Sequence, residues 1–290
     1  MNNNEKNNFQ KCDLHTHSTF SDGTLTPAEL VREAKRLNLI IALCDHNTVS
    51  GLPQFMYESE NIGVEAVPGI EFSTEYNSKE LHIVGLFIAE KNYSVVRDFV
   101  SESVKLKELS NIHLVENLKK AGFTVDYDKI KAATPNGQVN RAHIAAELLN
   151  QGYVDSINTA FKTVLSKKNG LYIPPKELKT TKVIEFIREI GAVPVFAHPL
   201  ISLSCKELVS ILPELKKSGL FAMETMYSLY SNETTAVAKQ IASSFNLYES
   251  GGSDFHGATK PDIFLGKGKG NVDVPVEVYY KLKELSEKIK

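Results

Sequence analysis

Histidines and acidic residues recur in this chain at short apolar runs, and their placement restricts the folds that it can adopt. Six of the eight histidines and their acidic neighbours lie in D-L-H-T-H-S-T-F-S-D-G (13–23), C-D-H-N (44–47), G-I-E-F-S (69–73), L-H-I-V-G (81–85), F-A-H-P (196–199) and G-S-D-F-H-G (252–257). These segments are spread over about 240 positions. They can form one site only in a fold that gathers the ends of several strands.

Apolar runs and helical patterns alternate along most of the chain. Thr26-Pro27-Ala28-Glu29 has an N-cap, a proline at the first helical position and a capping-box glutamate. The apolar run 39–44 that follows is typical of a strand buried on both faces, and a second run, 64–70, ends at Glu71. Alternating strands and helices predict an α/β protein with a parallel sheet. In a (β/α) barrel the carboxyl ends of such strands meet on one face, where catalytic sites are built.

The stretch 99–179 interrupts this alternation, because it contains helical patterns and no convincing strand. We read it as a helical insertion between a fourth and a fifth strand. The expected organisation is a disordered lead-in at 1–10, a barrel made of 11–98 and 180–290, and a helical insertion domain at 99–179. An insertion at the catalytic face of a barrel is expected to form a lid or a substrate wall.

Composition and charge argue against several classes of protein. The net charge of −2 gives no general attraction for nucleic acid, so any such contact must be local. Three cysteines do not suggest a disulfide framework, and Cys12 and Cys44 are interpreted as small core residues. The first nine residues lack the hydrophobic stretch of a signal peptide, and no apolar run approaches the roughly 20 residues that span a bilayer. We expect a cytoplasmic enzyme without membrane contact or an obligate protein partner.

Imidazole and carboxylate groups together form a good donor set for borderline divalent ions such as Mn, Fe and Zn. Nine candidate ligands are too many for one ion, so they predict a multinuclear hydrolytic site. The candidates are His15, His17, Asp22, His46, Glu71, His82, His198, Asp254 and His256. A lone histidine is more often structural, and His113, on a predicted helix, is interpreted in that way.

These segments together resemble the PHP family (polymerase and histidinol phosphatase), through His15-x-His17, Asp22-Gly23, Asp45-His46, Glu71, His82, His198-Pro199 and Asp254-x-His256. The resemblance implies a distorted (β/α)7 barrel that holds two to three divalent ions. By analogy, one ion is bound by His15, His17, Glu71 and Asp254. A second is bound by Glu71, as a bridge, with His82 and His198, and a third by Asp22, His46 and His256. Asn47, where many relatives have aspartate, and Asp45 lie outside this ligand set; Asp45 is a candidate to orient a ligand imidazole.

The barrel with its insertion looks most like the stand-alone branch of the family, which hydrolyses phosphate esters of nucleotides. That branch includes a 3′,5′-nucleoside bisphosphate phosphatase and a 5′-to-3′ exoribonuclease. The resemblance therefore implies a metal-dependent phosphoesterase that acts on a nucleotide, a nucleoside bisphosphate or a short RNA or DNA end, through in-line attack of metal-activated hydroxide. Two alternatives stay open: a histidinol-phosphate phosphatase, and a non-catalytic metal-binding PHP module such as those inside DNA polymerases.

A phosphatase also needs groups that recognise phosphate, and Asn140-Arg141-Ala142-His143 is the best candidate. With Asn140 as N-cap, Arg141 and His143 lie in a first helical turn, where free N–H groups and the helix dipole favour an anion. Arginine can add a bidentate clamp, and the resemblance supports that role. The alternative is a solvated cap with an ordinary surface arginine.

Three weaker signals lie near the carboxyl end of the chain. Glu224 is either a residue that supports a metal ligand or a buried carboxylate with a backbone partner. The glycine-rich segment 266–270 lacks the context of a phosphate cradle and is interpreted as a flexible loop. Tyr227 and Tyr230 could either stack on a base or only pack, and they stay unassigned.

Overall fold

The computed structural model describes residues 9–134, 137 and 139–289. Most of the predicted lead-in, residues 1–8, therefore lies outside the described residues. Phe9 packs against the hydrophobic core, and the carbonyl oxygen of Gln10 accepts a 3.0 Å hydrogen bond from the N–H of Val276. The chain is thus tied to the barrel from residue 9 onward.

Eight strands form one sheet that is nearly closed into a barrel. They are Lys11–Thr16 (β1), Leu39–Leu43 (β2), Ala66–Tyr76 (β3), Lys79–Leu86 (β4), Leu178–Lys179 (β5), Val193–Ala197 (β6), Ala222–Tyr227 (β7) and Tyr248–Gly252 (β8). All but β5 follow one another around the barrel, and the two-residue β5 pairs with β3. Residues just after β8 close the barrel, because Asp254 N–H donates to His15 and His17 N–H donates to Phe255, both at 2.9 Å. The predicted distorted seven-stranded barrel is confirmed.

One strand of the barrel runs against the others. β4 is antiparallel to both β3 and β6, whereas the pairs β1–β2, β2–β3, β6–β7 and β7–β8 are parallel. β3 continues to Tyr76 rather than ending before Glu71, and it turns into β4 through Asn77 and Ser78, both with positive φ. A short hairpin connection allows only antiparallel pairing. The expectation of a wholly parallel sheet was wrong at this strand.

Eleven α-helices occur in the described residues: Pro27–Leu37 (α1), Leu52–Ile62 (α2), Tyr93–Lys120 (α3), Tyr127–Ala133 (α4), Arg141–Asn150 (α5), Ile157–Lys162 (α6), Thr180–Glu189 (α7), Pro199–Ser202 (α8), Cys205–Lys217 (α9), Asn232–Ser244 (α10) and Val276–Ile289 (α11). α1 begins with the predicted capping box between Thr26 and Glu29. Within the described ranges, no helix is both long enough and apolar enough to span a membrane.

The insertion has a hydrophobic cluster of its own, which includes Leu114 and Leu118 from α3, Ile130 from α4 and Ile144 and Leu148 from α5. α3 begins in the barrel at Tyr93, so the expected boundary at residue 99 falls inside one continuous helix. The separate cluster supports our proposal that 99–179 is an insertion domain attached to the barrel through α3.

Two of the three cysteines belong to the barrel core, as expected. Cys12 and Cys44 are buried and free, and each lies in or next to an inner strand. Burial raises the pKa of both thiols well above its ordinary value. Both side chains therefore act as small hydrophobic groups.

Candidate metal centre

Glu71 lies in the middle of the site at the end of the barrel. Its Oε2 atom is 3.4 Å from Nε2 of His15 and 3.4 Å from Nε2 of His17. Its Oε1 atom is 2.8 Å from Nδ1 of His82 and 3.0 Å from Nε2 of His198. Nδ1 of His46, which follows β2, lies 2.9 Å from Oε2, so one carboxylate contacts histidines from four different strand ends.

Two further carboxylates complete the cluster. Oδ1 of Asp254 lies 3.3 Å from Nε2 of His17 and 3.3 Å from Nδ1 of His256. Oδ1 of Asp22 lies 3.3 Å from Nε2 of His256 and 3.8 Å from Nε2 of His46. All nine predicted site residues are thus brought together at one end of the barrel.

The reversed strand explains the position of His82. This residue lies near the start of β4, whereas Glu71 lies in the middle of β3 and the other ligand candidates lie near or beyond the carboxyl ends of their strands. Because β4 is antiparallel to its neighbours, its start lies at the same barrel face as their carboxyl ends. In register, His82 pairs with Ser73 of β3 and Ala197 of β6, and Ala197 directly precedes His198.

The backbone around the cluster adopts conformations that non-glycine residues seldom take. His198 and Asp254 have φ of 30° and 55°. Such strain persists only where the surrounding structure enforces it, and it is concentrated at functional sites. At Gly252, a Cβ atom would lie 2.5 Å from the backbone nitrogen of His15, so only glycine lets β8 approach β1 this closely.

Several buried polar atoms of the cluster lack hydrogen-bond partners among the described residues. They are Nε2 of His15, Nε2 of His17, Nδ1 of His46, Oδ1 of Asp22 and Oε2 of Glu71. Leaving such atoms unsatisfied in a protein interior is costly. Nitrogen and carboxylate lone pairs that converge in this way suit a borderline divalent ion, so the residues fit a metal centre.

Ligand atoms within 4.8 Å of one another fall into four overlapping groups. They are His17, Asp22, His46 and His256; His15, His198 and Glu224; His15, His17 and Glu71; and His46, Glu71 and His82. Each of His15, His17, His46 and Glu71 belongs to two of these groups.

Glu224, whose role the sequence left open, contacts two histidines of the cluster. Its Oε1 lies 2.7 Å from Nδ1 of His15, and its Oε2 accepts a 2.7 Å hydrogen bond from the backbone N–H of His198. The predicted buried carboxylate with a backbone partner is confirmed, whereas the support of a metal ligand stays a prediction. A carboxylate on the outer nitrogen of a ligand imidazole fixes the ring and its tautomer.

Asp45 organises the loop after β1. Its carboxylate accepts hydrogen bonds from the backbone N–H and the hydroxyl of Ser18 and from the hydroxyl of Ser21, at 2.6–2.8 Å. Ser21 Oγ in turn lies 3.4 Å from Nδ1 of His17. Asp45 thus reaches the imidazole of His17 only through the hydroxyl of Ser21, and its role in orienting a ligand stays a prediction.

Lys260 also belongs to the site, although the sequence analysis did not identify it. Its Nζ lies 2.7 Å from Oδ2 of Asp254, and the hydroxyl of Tyr227 donates to the same oxygen at 2.8 Å. Oδ1 of Asp254 thereby stays directed at the histidines. The sequence shows only that a lysine follows Asp254 by six residues in the segment S-D-F-H-G-A-T-K. That segment alone is typical of an ordinary loop.

The charges of the cluster stabilise one another. Burial opposes a charge on His15, but Glu224 and Glu71 raise its pKa well above the ordinary value. Burial likewise opposes a charge on His82, yet Glu71 and Glu80 raise its pKa to about 10. Against the effect of burial, the surrounding histidines lower the pKa of Glu71 well below its usual range. Without metal, the raised pKa values favour protons on His15 and His82 that a metal ion must displace.

The predicted N-cap places Arg141 and His143 beside this cluster. Asn140 Oδ1 accepts from the backbone N–H groups of Ala142 and His143 at 2.9 and 3.2 Å, and its own N–H donates to Nδ1 of His143 at 3.1 Å. Nε2 of His143 is therefore the nitrogen that carries the proton. The guanidinium of Arg141 lies 4.4 Å from the ring centroid of Tyr172, and its Nη2 is 3.7 Å from Oε2 of Glu80.

The remaining sequence signals have structural roles. His113 is exposed on α3. The backbone N–H of Gly266 donates to Asp13 at 2.8 Å, which ties the glycine-rich segment to the barrel wall. The hydroxyl of Tyr230 accepts a hydrogen bond from the backbone N–H of Leu200 at 2.9 Å.

The chain is similar to known proteins along most of its length. The family model described as "PHP domain" matches residues 13–173. A 5′-3′ exoribonuclease of Haemophilus influenzae is 32% identical over 94% of this chain and 99% of that protein. A 3′,5′-nucleoside bisphosphate phosphatase of Chromobacterium violaceum is 27% identical over 84% of this chain and 86% of that protein.

The solved structures agree with this relationship. A protein of Bifidobacterium adolescentis, assigned as a metal-dependent phosphoesterase, superposes with a TM-score of 0.84 at 28% identity, over 94% of this chain and 95% of that chain. The fold, the gathered imidazoles and carboxylates and the extended sequence similarity lead to one conclusion. This chain belongs to the PHP domain family.

Proposed function

We propose that the protein is a metal-dependent phosphoesterase that hydrolyses a phosphate monoester or terminal phosphodiester of a nucleotide, a nucleoside bisphosphate or a short oligonucleotide. The observation that carries this proposal is the set of five buried donor atoms without partners among the described residues, which converge beside a helix N-terminus. Metal-assisted hydrolysis of a phosphate ester requires metal ligands and an anion-binding group close to one another. A helix N-terminus can bind the anion. The names of the relatives support a nucleotide substrate.

We assign the ligands as the resemblance implies, with two to three ions of Mn, Fe or Zn. His15, His17, Glu71 and Asp254 would hold one ion, and Glu71 as a bridge with His82 and His198 a second. Asp22, His46 and His256 would hold a third. Two groups of close ligand atoms support the first and third of these sets: His15, His17 and Glu71, and His17, Asp22, His46 and His256. Glu224, which lies close to His15 and His198, would orient His15 rather than bind an ion.

Bound divalent ions would lower the pKa of a coordinated water and neutralise charge on phosphate oxygens. The protein's own groups would bind and orient the substrate. The guanidinium of Arg141, held against Tyr172, can present two N–H groups to a phosphate. The Nε2–H of His143 can donate a third hydrogen bond, because Nδ1 is occupied by the N–H of Asn140. Lys260 would add positive charge beside Asp254.

Hydrolysis assays after metal removal test the proposal. Protein stripped by a chelator should lose activity and regain it with Mn, Fe or Zn, whereas activity that survives full removal would refute metal dependence. Histidinol phosphate, a nucleoside 3′,5′-bisphosphate and a short 5′-phosphorylated RNA should be compared side by side. A preference for histidinol phosphate would favour the alternative phosphatase. Fewer than one ion per chain together with no hydrolysis would favour a non-catalytic module.

A further inference from the structure

Two cavities adjoin the metal centre and share His46; Asn140 lines the first and Ala142 lines the second, both at the N-terminal end of α5. The first, which we call the basic arm, has a volume of about 320 Å³ and is lined by His46, Asn140, Lys107, Lys131 and Glu108. Glu108 is paired with Lys131 at 2.6 Å. The second, which we call the apolar arm, has a volume of about 780 Å³ and contacts the centre through Asp22, His46 and His256. A phosphate held at the centre therefore has access to both arms.

The walls of the two arms differ in chemistry. The apolar arm lies between the insertion and the loop 258–263, and Leu149, Ile157, Phe161 and Leu229 contribute to its wall. Phe161 offers an aromatic ring, and Asn158 and Asp155 add hydrogen-bonding groups. None of the described residues that line the basic arm is aromatic. An apolar wall with one aromatic ring and a few polar groups is typical of a pocket for a flat heteroaromatic ligand.

We propose that the apolar arm binds the nucleoside of the substrate, with its base against Phe161 and Leu229, while the attached phosphate lies at the metal centre. This inference rests on the proposed phosphoesterase function and adds to it the place and the chemistry of base recognition. Continuity supports the assignment, because Lys260 lines both this arm and the cavity that contains Glu71, His82 and His198. Leu229 is 51% exposed, so a ligand in the arm can cover it.

Equilibrium binding to the metal-loaded protein separates this inference from the proposed catalysis. Adenosine 5′-monophosphate and ribose 5-phosphate carry the same phosphate and sugar, and only the first has a base. We expect adenosine 5′-monophosphate to bind about tenfold more tightly, the size of effect that one base stacked on an aromatic ring gives. Leu229→Asp and Phe161→Leu should each reduce this preference severalfold. Phe161 also contacts Arg141, so its replacement can alter phosphate binding as well. Because both ligands carry the phosphate, that effect cancels in the ratio of their dissociation constants.

Leu109 on α3 supplies a matched control, because it is also a leucine with 51% exposure and it lines neither arm. Leu109→Asp should leave the binding preference at the wild-type value. Equal dissociation constants for the two ligands in the wild-type protein would overturn the inference, and so would a preference that survives both arm variants. If Lys107→Ala and Lys131→Ala lose the preference while the variants of the apolar arm keep it, the base lies in the basic arm. That result would also overturn the inference. A protein that prefers the base but hydrolyses no phosphate ester would refute the proposed function alone.

Discussion

Nδ1 of His15 lies 2.7 Å from Oε1 of Glu224, and this contact directs the other ring nitrogen of His15 toward Glu71. His15 lies near the end of β1, and Glu224 lies within β7, 209 positions later in the chain. Both residues are buried. A carboxylate on the outer nitrogen fixes the tautomer and increases the basicity of a ligand imidazole. Glu224 therefore shapes the metal centre without belonging to the proposed ligand set.

Replacing this carboxylate by an amide should weaken metal binding. We expect Glu224→Gln to lower metal affinity about 10- to 100-fold, because the amide does not provide the same negative acceptor for His15. Titration of chelator-treated protein with Mn or Zn measures the effect. Glu249→Gln on β8, a half-exposed site whose carboxylate faces Lys239, serves as the control. Unchanged affinity in Glu224→Gln would show that the contact does not tune the ligand.

Metal binding should release protons well above the pH at which ordinary histidines titrate. In the metal-free protein the pKa of His82 is about 10, so this imidazole is protonated at pH 7 to 9, and the pKa of His15 is raised as well. A ligand imidazole must be neutral, so affinity should fall as pH falls throughout this range. Calorimetry in buffers with different ionisation enthalpies counts the protons. An affinity independent of pH above about 7.5, as expected for histidines with the ordinary pKa of about 6.5, would contradict this prediction.

Removing the guanidinium of Arg141 should weaken substrate binding more than metal binding. We expect Arg141→Ala to raise KM for a phosphorylated substrate at least about tenfold. The reason is the loss of one charge-assisted hydrogen bond, which contributes about 1.5–3 kcal/mol. Arg141→Lys should recover only part of this, because lysine lacks the planar fork that lies against Tyr172. Arg36→Ala, at an exposed arginine on α1, is the control for kinetics and metal content. An unchanged KM would reject the clamp.

A methyl group at Gly252 should disturb both stability and metal binding. Its Cβ would lie 2.5 Å from the backbone nitrogen of His15, so Gly252→Ala should cost about 1–3 kcal/mol and displace this ligand. Gly63→Ala should cost a comparable amount, about 1–2 kcal/mol, because Gly63 has φ of 68°, but no other atom lies near the added methyl. Urea unfolding and metal titration separate the two effects. Equal metal affinity in both variants would contradict the proposed displacement.

Local sequence determined which elements form and which side chains can carry the chemistry. The Thr26–Glu29 capping box and the Asn140 cap were predictable because each involves residues only two or three positions apart. The apolar run 39–44 likewise predicts a buried inner strand from its own composition. The nine imidazoles and carboxylates stand out in the sequence because they lie in short segments that combine the two groups or end an apolar run.

Other features became visible only with the fold. The reversal of β4 depends on the hairpin after Tyr76, and it alone places His82 at the same face as His198. Glu224 was a candidate in the sequence, but its partners His15 and His198 were identified only in the fold, and Lys260 was not identified from the sequence.

The sequence by itself thus determined the strands, the helices and the donor set, because periodicity, caps and side-chain chemistry act over a few residues. The tertiary structure decided which donors share a carboxylate, which groups support them and where the two arms of the site open. Those features depend on barrel register and on contacts between residues up to about 240 positions apart, and local preferences carry no information about either.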